Sequence, residues 1–225
     1  QVVRGGQQVP FDQVMDFSII QKLGSEEPYK SSRNEYQINF APKTVQTIKA
    51  EALRQGVQAS LIDRAFQGLT PDQKIIDLDS RQPEFSQTYA KYVGSAVSAD
   101  RIAKGQQRMA QNRALLDALQ AEYGVPPQYI MAFWGMETNY GGFMGDFQVV
   151  RSVATLACMT KRRDFFSNET VQALRILALN HMTRDQMRGS WAGAMGNMQF
   201  MPSTFMKWGR SEERRVGKEC LRLCR

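Results

Sequence analysis

The chain has 225 residues, of which 42% are hydrophobic and 23% charged, so it is long enough to bury a sizeable core. Its net charge of +7 suits an anionic partner such as nucleic acid, a membrane surface or an acidic polymer, and names none of them. One histidine and three cysteines exclude multi-histidine metal sites and a disulfide framework. No apolar stretch approaches the ~18 residues of a membrane span, and no cofactor or metal site is predicted.

The first forty residues differ in composition from the rest of the chain. Gly, Pro and short apolar clusters over residues 1–40 predict a lead-in or linker. Helical periodicity then predicts segments from Pro42 to before Gly56, from Leu61 to Phe66, and roughly from Ala99 to Tyr123. Between the last two, residues 70–88 favour turns with room for one short helix. No strand-like alternation of any length appears, so the predicted fold class is all-α.

The last sixteen residues, 210–225, carry six basic and three acidic residues and almost no apolar periodicity. A solvated basic tail is the usual meaning of such a run. The stretch 210–220 also resembles the translation of a sequencing-library adapter, and on that interpretation it is an artefact to be excluded from fold reasoning. Without the tail the net charge falls from +7 to +4, which weakens the case for nucleic acid.

One carboxylate lies in an apolar helical segment. Pro126 and Pro127 can start a helix that the glycines after Tyr140 must end. The periodicity puts Glu137 in the centre of an apolar stripe with Ile130, Phe133 and Trp134. An ordinary glutamate at a helix end snorkels to solvent or pairs with an arginine. If the stripe faces the core, burial raises the pKa of the carboxyl group, which suits a general acid for glycoside cleavage.

A second carboxylate, which ordinary glycosidases need, is not evident from spacing. Asp146 and Asp164 are the nearby candidates, and each fits a turn residue or helix cap as well.

A Gly- and Ala-rich run occupies residues 189–205, G-S-W-A-G-A-M-G-N-M-Q-F-M-P-S-T-F. Small residues at this spacing indicate a tight helix contact, or else a substrate wall in which Ser190, Asn197 and Gln199 offer hydroxyl and amide groups to a sugar. Upstream, Arg162 and Arg163 are either surface charges or holders of a ligand carboxylate.

Four motifs in this order resemble the membrane-bound lytic murein transglycosylase B family of Gram-negative bacteria: Y-G-V-P-P through W-G-M-E-T-N-Y-G, A-T-L-A, R-R-D-F-F, and the run at 189–205. The likeness covers about residues 40–209. It implies a lysozyme-like helical core that cleaves the bond between N-acetylmuramic acid and N-acetylglucosamine without water, leaving an anhydromuramoyl end.

The resemblance also implies roles for single residues. Glu137 would be the sole general acid and base, Ser190 and Gln199 would bind the glycan, and Arg162 with Arg163 would face the peptide stem. A monomer in the periplasm, associated with the outer membrane, is the implied setting. The implied partners are peptidoglycan strands and stems, with no nucleic acid.

The resemblance divides the chain into an unmatched lead-in, an N-terminal helical part, a partial catalytic core and a tail, at residues 1–40, 41–104, 105–209 and 210–225. Cys158 stands where the family usually has an aromatic residue, and Asn197 with Met198 alters the segment before Q-F-M-P. Because the family's later helices are not found, we expect a truncated enzyme of low stability and weak or no activity. A hydrolytic muramidase and a noncatalytic peptidoglycan-binding module remain alternatives.

Overall fold

The computed structural model describes residues 39–81, 88–179 and 182–209, and the backbone of 2–4 and 7–9. Within these residues the chain forms ten α-helices: α1 (Pro42–Arg54), α2 (Ala59–Phe66), α3 (Gln73–Arg81), α4 (Tyr89–Ala96), α5 (Ala99–Gln111), α6 (Arg113–Tyr123), α7 (Pro127–Thr138), α8 (Val149–Met159), α9 (Arg163–Ala178) and α10 (Pro202–Trp208). Two short antiparallel strand pairs accompany them: β1 (Val2–Arg4) with β2 (Gln7–Val9), and β3 (Phe147–Gln148) with β4 (Arg188–Gly189). The predicted all-α class is confirmed.

The main core is built around α8 and α9. Side chains around the whole circumference of α8 are buried, because α3, α9 and α1 all pack on it. Val150, Val153 and Leu156 of α8 and Leu174 and Ile176 of α9 are fully enclosed. Burying a side chain of this size is worth about 1.5–3 kcal/mol, so this helix pair supplies much of the driving force for folding.

Hydrogen bonds join the N-terminal helices to this core. The Arg184 guanidinium donates to the carbonyl oxygens of Ala65 and Gln67, at 3.2 and 2.9 Å, at the end of α2. The Asp72 backbone N–H, just before α3, donates to Thr155 Oγ1 on α8 at 3.2 Å. The early helices are therefore bound to the later ones by directed contacts as well as by packing. The proposed boundary between residues 104 and 105 falls inside α5, and the division stays a prediction.

A buried carboxylate holds the start of α10. Glu169 on α9 is 1% exposed, and its Oε2 accepts a hydrogen bond from the backbone N–H of Ser203 at 2.9 Å. A negative charge is favoured at a helix N-terminus, where backbone N–H groups lack helical partners. This contact fixes the segment that precedes α10 against the core.

The long helix predicted from 99 to 123 is wrong in one respect, since it is interrupted at Asn112. The side-chain amide of Asn112 donates to the carbonyl oxygen of Arg108 at 2.8 Å, and its backbone leaves the helical region (φ −113°, ψ 20°). Asparagine competes with the helical ladder in this way, and periodicity does not reveal it. The expected end at Gly124 is confirmed by its left-handed φ of 69°.

The predicted lead-in over 1–40 contains the β1–β2 hairpin, which the sequence pattern did not indicate; the rest of it up to residue 38 lies outside the described residues, as do His181 and the tail from 210.

Tyr140, just after the end of α7, fills the space between α5 and α7. It is 8% exposed, and its ring meets Trp134 edge to face at 5.7 Å between centroids. A Cβ atom built at Gly135 would lie 2.6 Å from the Tyr140 hydroxyl oxygen, and one at Gly105 would clash with the same hydroxyl. Only glycine therefore fits at these two helical positions.

We expect Gly135→Ala and Gly105→Ala each to lower the free energy of unfolding by about 1–3 kcal/mol, because overpacking outweighs the gain in helix propensity. Gly94→Ala in α4 is the matched control, since a Cβ atom there meets nothing within 4 Å, and it should be neutral or stabilising. Urea unfolding measures all three. Equal effects at positions 94, 105 and 135 would show that Tyr140 does not exclude a Cβ atom at positions 105 and 135.

Cys158, near the end of α8, is buried. Burial raises the pKa of its thiol, and the backbone near Ala41 and the charge of Arg163 oppose that effect in part. A thiol whose pKa is higher in the folded chain stabilises the fold below the pKa of the unfolded chain, about 8.5, and loses that contribution as the pH rises through the folded value.

The free energy of unfolding of the wild type, minus that of Cys158→Ala, is therefore expected to be constant up to about pH 8 and to shrink above it. Denaturant unfolding from pH 7 to 10 measures the difference. A difference that grows with pH would mean that the buried thiolate is stabilised instead.

Candidate active site

The orientation of α7 decides where Glu137 lies. The buried face of this helix consists of Met131, Trp134, Gly135 and Thr138, and Glu137 is exposed. The prediction that Glu137 faces the core is therefore wrong. At 100° per residue it lies about 110° from the centre of the buried face. Apolar side chains occur on all sides of α7, so periodicity alone could not select the side that the rest of the chain covers.

Glu137 instead lies on a surface with exposed apolar neighbours. Phe133, one turn earlier, is 57% exposed, and the adjacent Met136 is 53% exposed. Asn139 and Tyr140 then take left-handed backbone conformations, with φ of 51° and 60°, and end the helix directly after the carboxylate. Glu137 is thus presented to solvent at the end of a helix whose opposite face is anchored.

That anchor is Asn197. Trp134 Nε1 donates to Asn197 Oδ1 at 2.9 Å, and Thr138 Oγ1 donates to the Asn197 carbonyl oxygen at 2.9 Å. Asn197 is 6% exposed, so its amide binds groups of the protein interior and not a sugar. The prediction that Asn197 belongs to a substrate wall is therefore wrong. These bonds tie the Glu137 helix to the 189–205 segment. The burial of Trp134 confirms its predicted place in the apolar stripe, whereas Thr138 was not singled out from sequence.

The 189–200 segment folds as a narrow antiparallel ribbon. Gly189 pairs with Phe147 on one side and with Met195 on the other, and Met195 pairs in turn with Phe200. Neighbouring strands lie about 4.8 Å apart, so Gly189 and Phe200 flank Met195 at a separation of about 10 Å. The ribbon brings the predicted glycan-binding residues, which adjoin its outer strands, to the same small surface.

Ser190 and Gln199 are held differently in this ribbon. Ser190 Oγ accepts a hydrogen bond from the Ala194 backbone N–H at 3.1 Å, which leaves its O–H free to donate. Gln199 Nε2 donates to the carbonyl oxygens of Met144 and Gly196, at 3.2 and 3.0 Å, and its Oε1 accepts nothing from the described residues. Gln199 is therefore fixed through its nitrogen with its oxygen available to a ligand hydroxyl.

The arginine pair lies elsewhere, where α8 gives way to α9. Arg162 forms an ion pair with Asp79 on α3 at 2.5 Å, and its guanidinium lies 4.9 Å from the centroid of the Phe166 ring. Arg163 is exposed at the first position of α9. The structure thus gives Arg162 a structural contact, and the role of the pair toward a peptide stem stays a prediction.

Two cavities lie beside the ribbon. The larger, of about 410 Å³, extends from the Gly141–Gly142 turn past Met144 and Gly196 to Phe205. The smaller, of about 260 Å³, shares Asp146 and Arg188 with it. Glu137 lines neither cavity. Over 39–81, 88–179 and 182–209, no group of three His, Cys, Asp or Glu side chains is placed to hold a metal ion.

A family model described as Transglycosylase SLT domain matches residues 39–217. The chain belongs to this family. Among curated relatives, the SLT-domain protein Membrane-bound lytic murein transglycosylase B of Escherichia coli K12 is 31% identical over 121 residues, which is 53% of this chain and 34% of the relative. The chain therefore spans about a third of that relative, and the resemblance found in the sequence is confirmed.

Solved SLT-domain structures share the helical fold. SltB3 from Pseudomonas aeruginosa, solved in complex with NAG-NAM-pentapeptide, matches with a TM-score of 0.69 and 39% identity over 74% of this chain and 44% of its own. SltB1 from the same organism matches with a TM-score of 0.68 and 28% identity, over 75% and 56%. Slt35 of Escherichia coli, at 22% identity and a TM-score of 0.69, over 80% and 60%, supports the fold alone.

Within this SLT domain the Trp134–Asn197 contact is open to a direct test. Trp134→Phe removes the indole N–H that donates to the buried Asn197 Oδ1 and is expected to lower the free energy of unfolding by about 1–3 kcal/mol. A double-mutant cycle with Asn197→Ala should give a coupling energy of at least about 0.5 kcal/mol.

Trp208→Phe is the control for loss of an indole, because Trp208 is 67% exposed and should tolerate the change. Additive effects of Trp134→Phe and Asn197→Ala would show that the hydrogen bond does not join the two segments.

Proposed function

We propose that this chain carries the catalytic part of a peptidoglycan lytic transglycosylase, with Glu137 as its single general acid and base. The observation that carries the proposal is the exposed Glu137 at the end of α7, which the Asn197 contacts hold beside the ribbon of Ser190 and Gln199. A catalytic acid must come within about 2.6–3.2 Å of the oxygen that it protonates, so an accessible carboxyl group meets the first requirement.

The proposed reaction uses one carboxyl group twice. Glu137 donates its proton to the glycosidic oxygen between N-acetylmuramic acid and N-acetylglucosamine as the bond from that oxygen to the anomeric carbon breaks. The resulting carboxylate then accepts the proton of the C6 hydroxyl of the same muramic acid, whose oxygen bonds to the anomeric carbon and forms the anhydro ring. Because the attacking hydroxyl is in the substrate, its effective concentration is high and no second carboxylate is needed to activate water.

The surroundings of Glu137 favour the first of these steps. A glycan strand lying over this side of α7 would cover Phe133 and Met136 and exclude water from the neighbouring Glu137 carboxyl group. Exclusion of water favours the neutral, proton-donating form of a carboxylic acid. Exposure in the free chain and burial beneath substrate are therefore compatible with the role of acid.

The ribbon would position the sugar. The free Oε1 of Gln199 can accept from a sugar hydroxyl, and the Ser190 O–H can donate to a sugar oxygen. We assign the glycan to these residues and, following the family resemblance, a stem carboxylate to exposed Arg163 with Arg162. We propose action on peptidoglycan in the periplasm, near the outer membrane, by a monomer. None of the described helices is long and apolar enough to cross a membrane.

Glu137→Gln tests the mechanism, since it keeps the size of the side chain and removes its proton. We expect release of anhydromuropeptides from purified sacculi to fall by a factor of at least about 100, with folding unchanged because the residue is exposed. Glu122→Gln on exposed α6 is the matched control and should retain wild-type release.

Mass spectrometry of the released sugars separates the alternatives. Anhydro ends support transglycosylation, whereas reducing ends would identify a hydrolytic muramidase. Sacculi that are bound without release of fragments would identify a binding module, and unchanged release by Glu137→Gln would remove that residue from the chemistry.

A further inference from the structure

The smaller cavity has a lining that the proposed cleavage does not use. It lies between the start of α3 and the β3–β4 pair, and its charged and amide residues are Asp72, Lys74, Asp146, Gln148, Arg151 and Arg188. We call it the basic cavity, because three cationic side chains face two carboxylates. Its volume of about 260 Å³ admits a few heavy atoms of a ligand, such as a carboxylate with its adjoining amide.

The three cations of the basic cavity, Lys74, Arg151 and Arg188, form no ion pair within the part of the chain that the structure describes. Arg188 donates to backbone carbonyl oxygens only, those of Asp185 and Asp146 at 2.9 and 3.0 Å. Lys74 Nζ also lies 5.1 Å from the centroid of the Phe147 ring. Three cations against two carboxylates leave the lining with a net positive charge, which favours an anion.

Asp72, one of the two carboxylates of the lining, lies beside the first turn of α3. Its Oδ1 accepts the Lys74 backbone N–H at 2.9 Å, which satisfies the first turn of α3. The carboxylate therefore acts as a helix cap. Asp146 contributes its carbonyl oxygen to Arg188 and forms no ion pair with the described residues.

Two buried polar atoms in the lining residues lack partners. Arg151 Nε, a charged donor, and Gln148 Oε1, an amide acceptor, are both buried and form no hydrogen bond within the described residues. Leaving such groups unpaired destabilises the fold, a charged group more than a neutral one. An anion in the cavity beside Arg151 would stabilise a guanidinium that is partly withdrawn from water.

The basic cavity adjoins the larger cavity, with which it shares Asp146 and Arg188. The larger cavity extends to the Gly141–Gly142 turn that follows α7, so a stem that enters it from a glycan on α7 would next meet the basic cavity. We infer that the basic cavity binds a carboxylate of the peptidoglycan peptide stem, as a second contact apart from Arg162 and Arg163. This inference rests on the proposed function for its choice of ligand.

The test uses the full chain and a free five-residue stem peptide with its carboxylates, measured by NMR titration, so that no cleavage is involved. The free peptide should bind at least about tenfold more tightly than the same peptide with every carboxylate amidated. Arg151→Gln and Lys74→Gln should each weaken binding of the free peptide by about tenfold.

The control is Lys91→Gln, which removes one exposed positive charge on α4 and should bind the peptide as the wild type does. Arg151→Lys, which keeps the charge, should retain most of the affinity. Lys74 is exposed, so Lys74→Gln decides the question even where a change at half-buried Arg151 disturbs folding.

Equal binding of the amidated peptide, or wild-type affinity in both Lys74→Gln and Arg151→Gln, would overturn the inference. Inorganic phosphate that displaces the peptide with equal affinity would also overturn it, since the cavity would then be a site for any anion. Failure of the proposed function looks different: sacculi would yield no anhydro ends whether or not the free peptide binds.

Discussion

The hydrogen bonds to Asn197 join the two segments that the proposed chemistry needs. Through Trp134 and Thr138 they hold the helix that carries Glu137 against the ribbon that carries Ser190 and Gln199. The bonds lie in a buried region, where a lost partner costs more than it does at the surface. The position of Glu137, the proposed acid, relative to Ser190 and Gln199 therefore depends on the buried amide of Asn197.

The rest of the fold packs against the contact between α7 and the ribbon. The α8–α9 pair forms an apolar core that contacts the β3–β4 pair, and Glu169 on α9 fixes the start of α10 immediately after the ribbon. Tyr140 closes the other side by filling the space between α5 and α7. Rigid elements thus surround a site whose reacting surface is left open, which is the arrangement that positioning of a large polymer requires.

Local signals in the sequence predicted the helices well. Pro42, Gly56 and Gly124 mark helix boundaries through backbone chemistry that acts within a few residues, and the structure confirms them. The interruption at Asn112 depends on a side chain that bonds back to the helix, so apolar spacing did not show it. Boundaries set by the chain's own backbone are predictable where those set by a competing side chain are not.

The site was predictable where local motifs select its residues, and not where distant contacts orient them. Glu137, Ser190 and Gln199 could be selected from motif chemistry, and the Transglycosylase SLT domain match supports the selection of this region. The exposed side of α7 could not be predicted, because both sides are apolar and the choice is made by Asn197 and Tyr140, which come later in the chain. The cations of the basic cavity come from three separate elements, so no local pattern reveals them.

The backbone conformation of Gln199 lowers the stability of the chain. Its φ of 47° places a side chain where glycine is normally favoured, and a residue held there costs of order 1–3 kcal/mol. Glycine at this position would relax the backbone and remove the amide that the ribbon fixes through Met144 and Gly196. Under the proposed function, stability and glycan binding make opposite demands on position 199. A variant that is stabilised by relaxing this turn is therefore expected to bind its polymer less well.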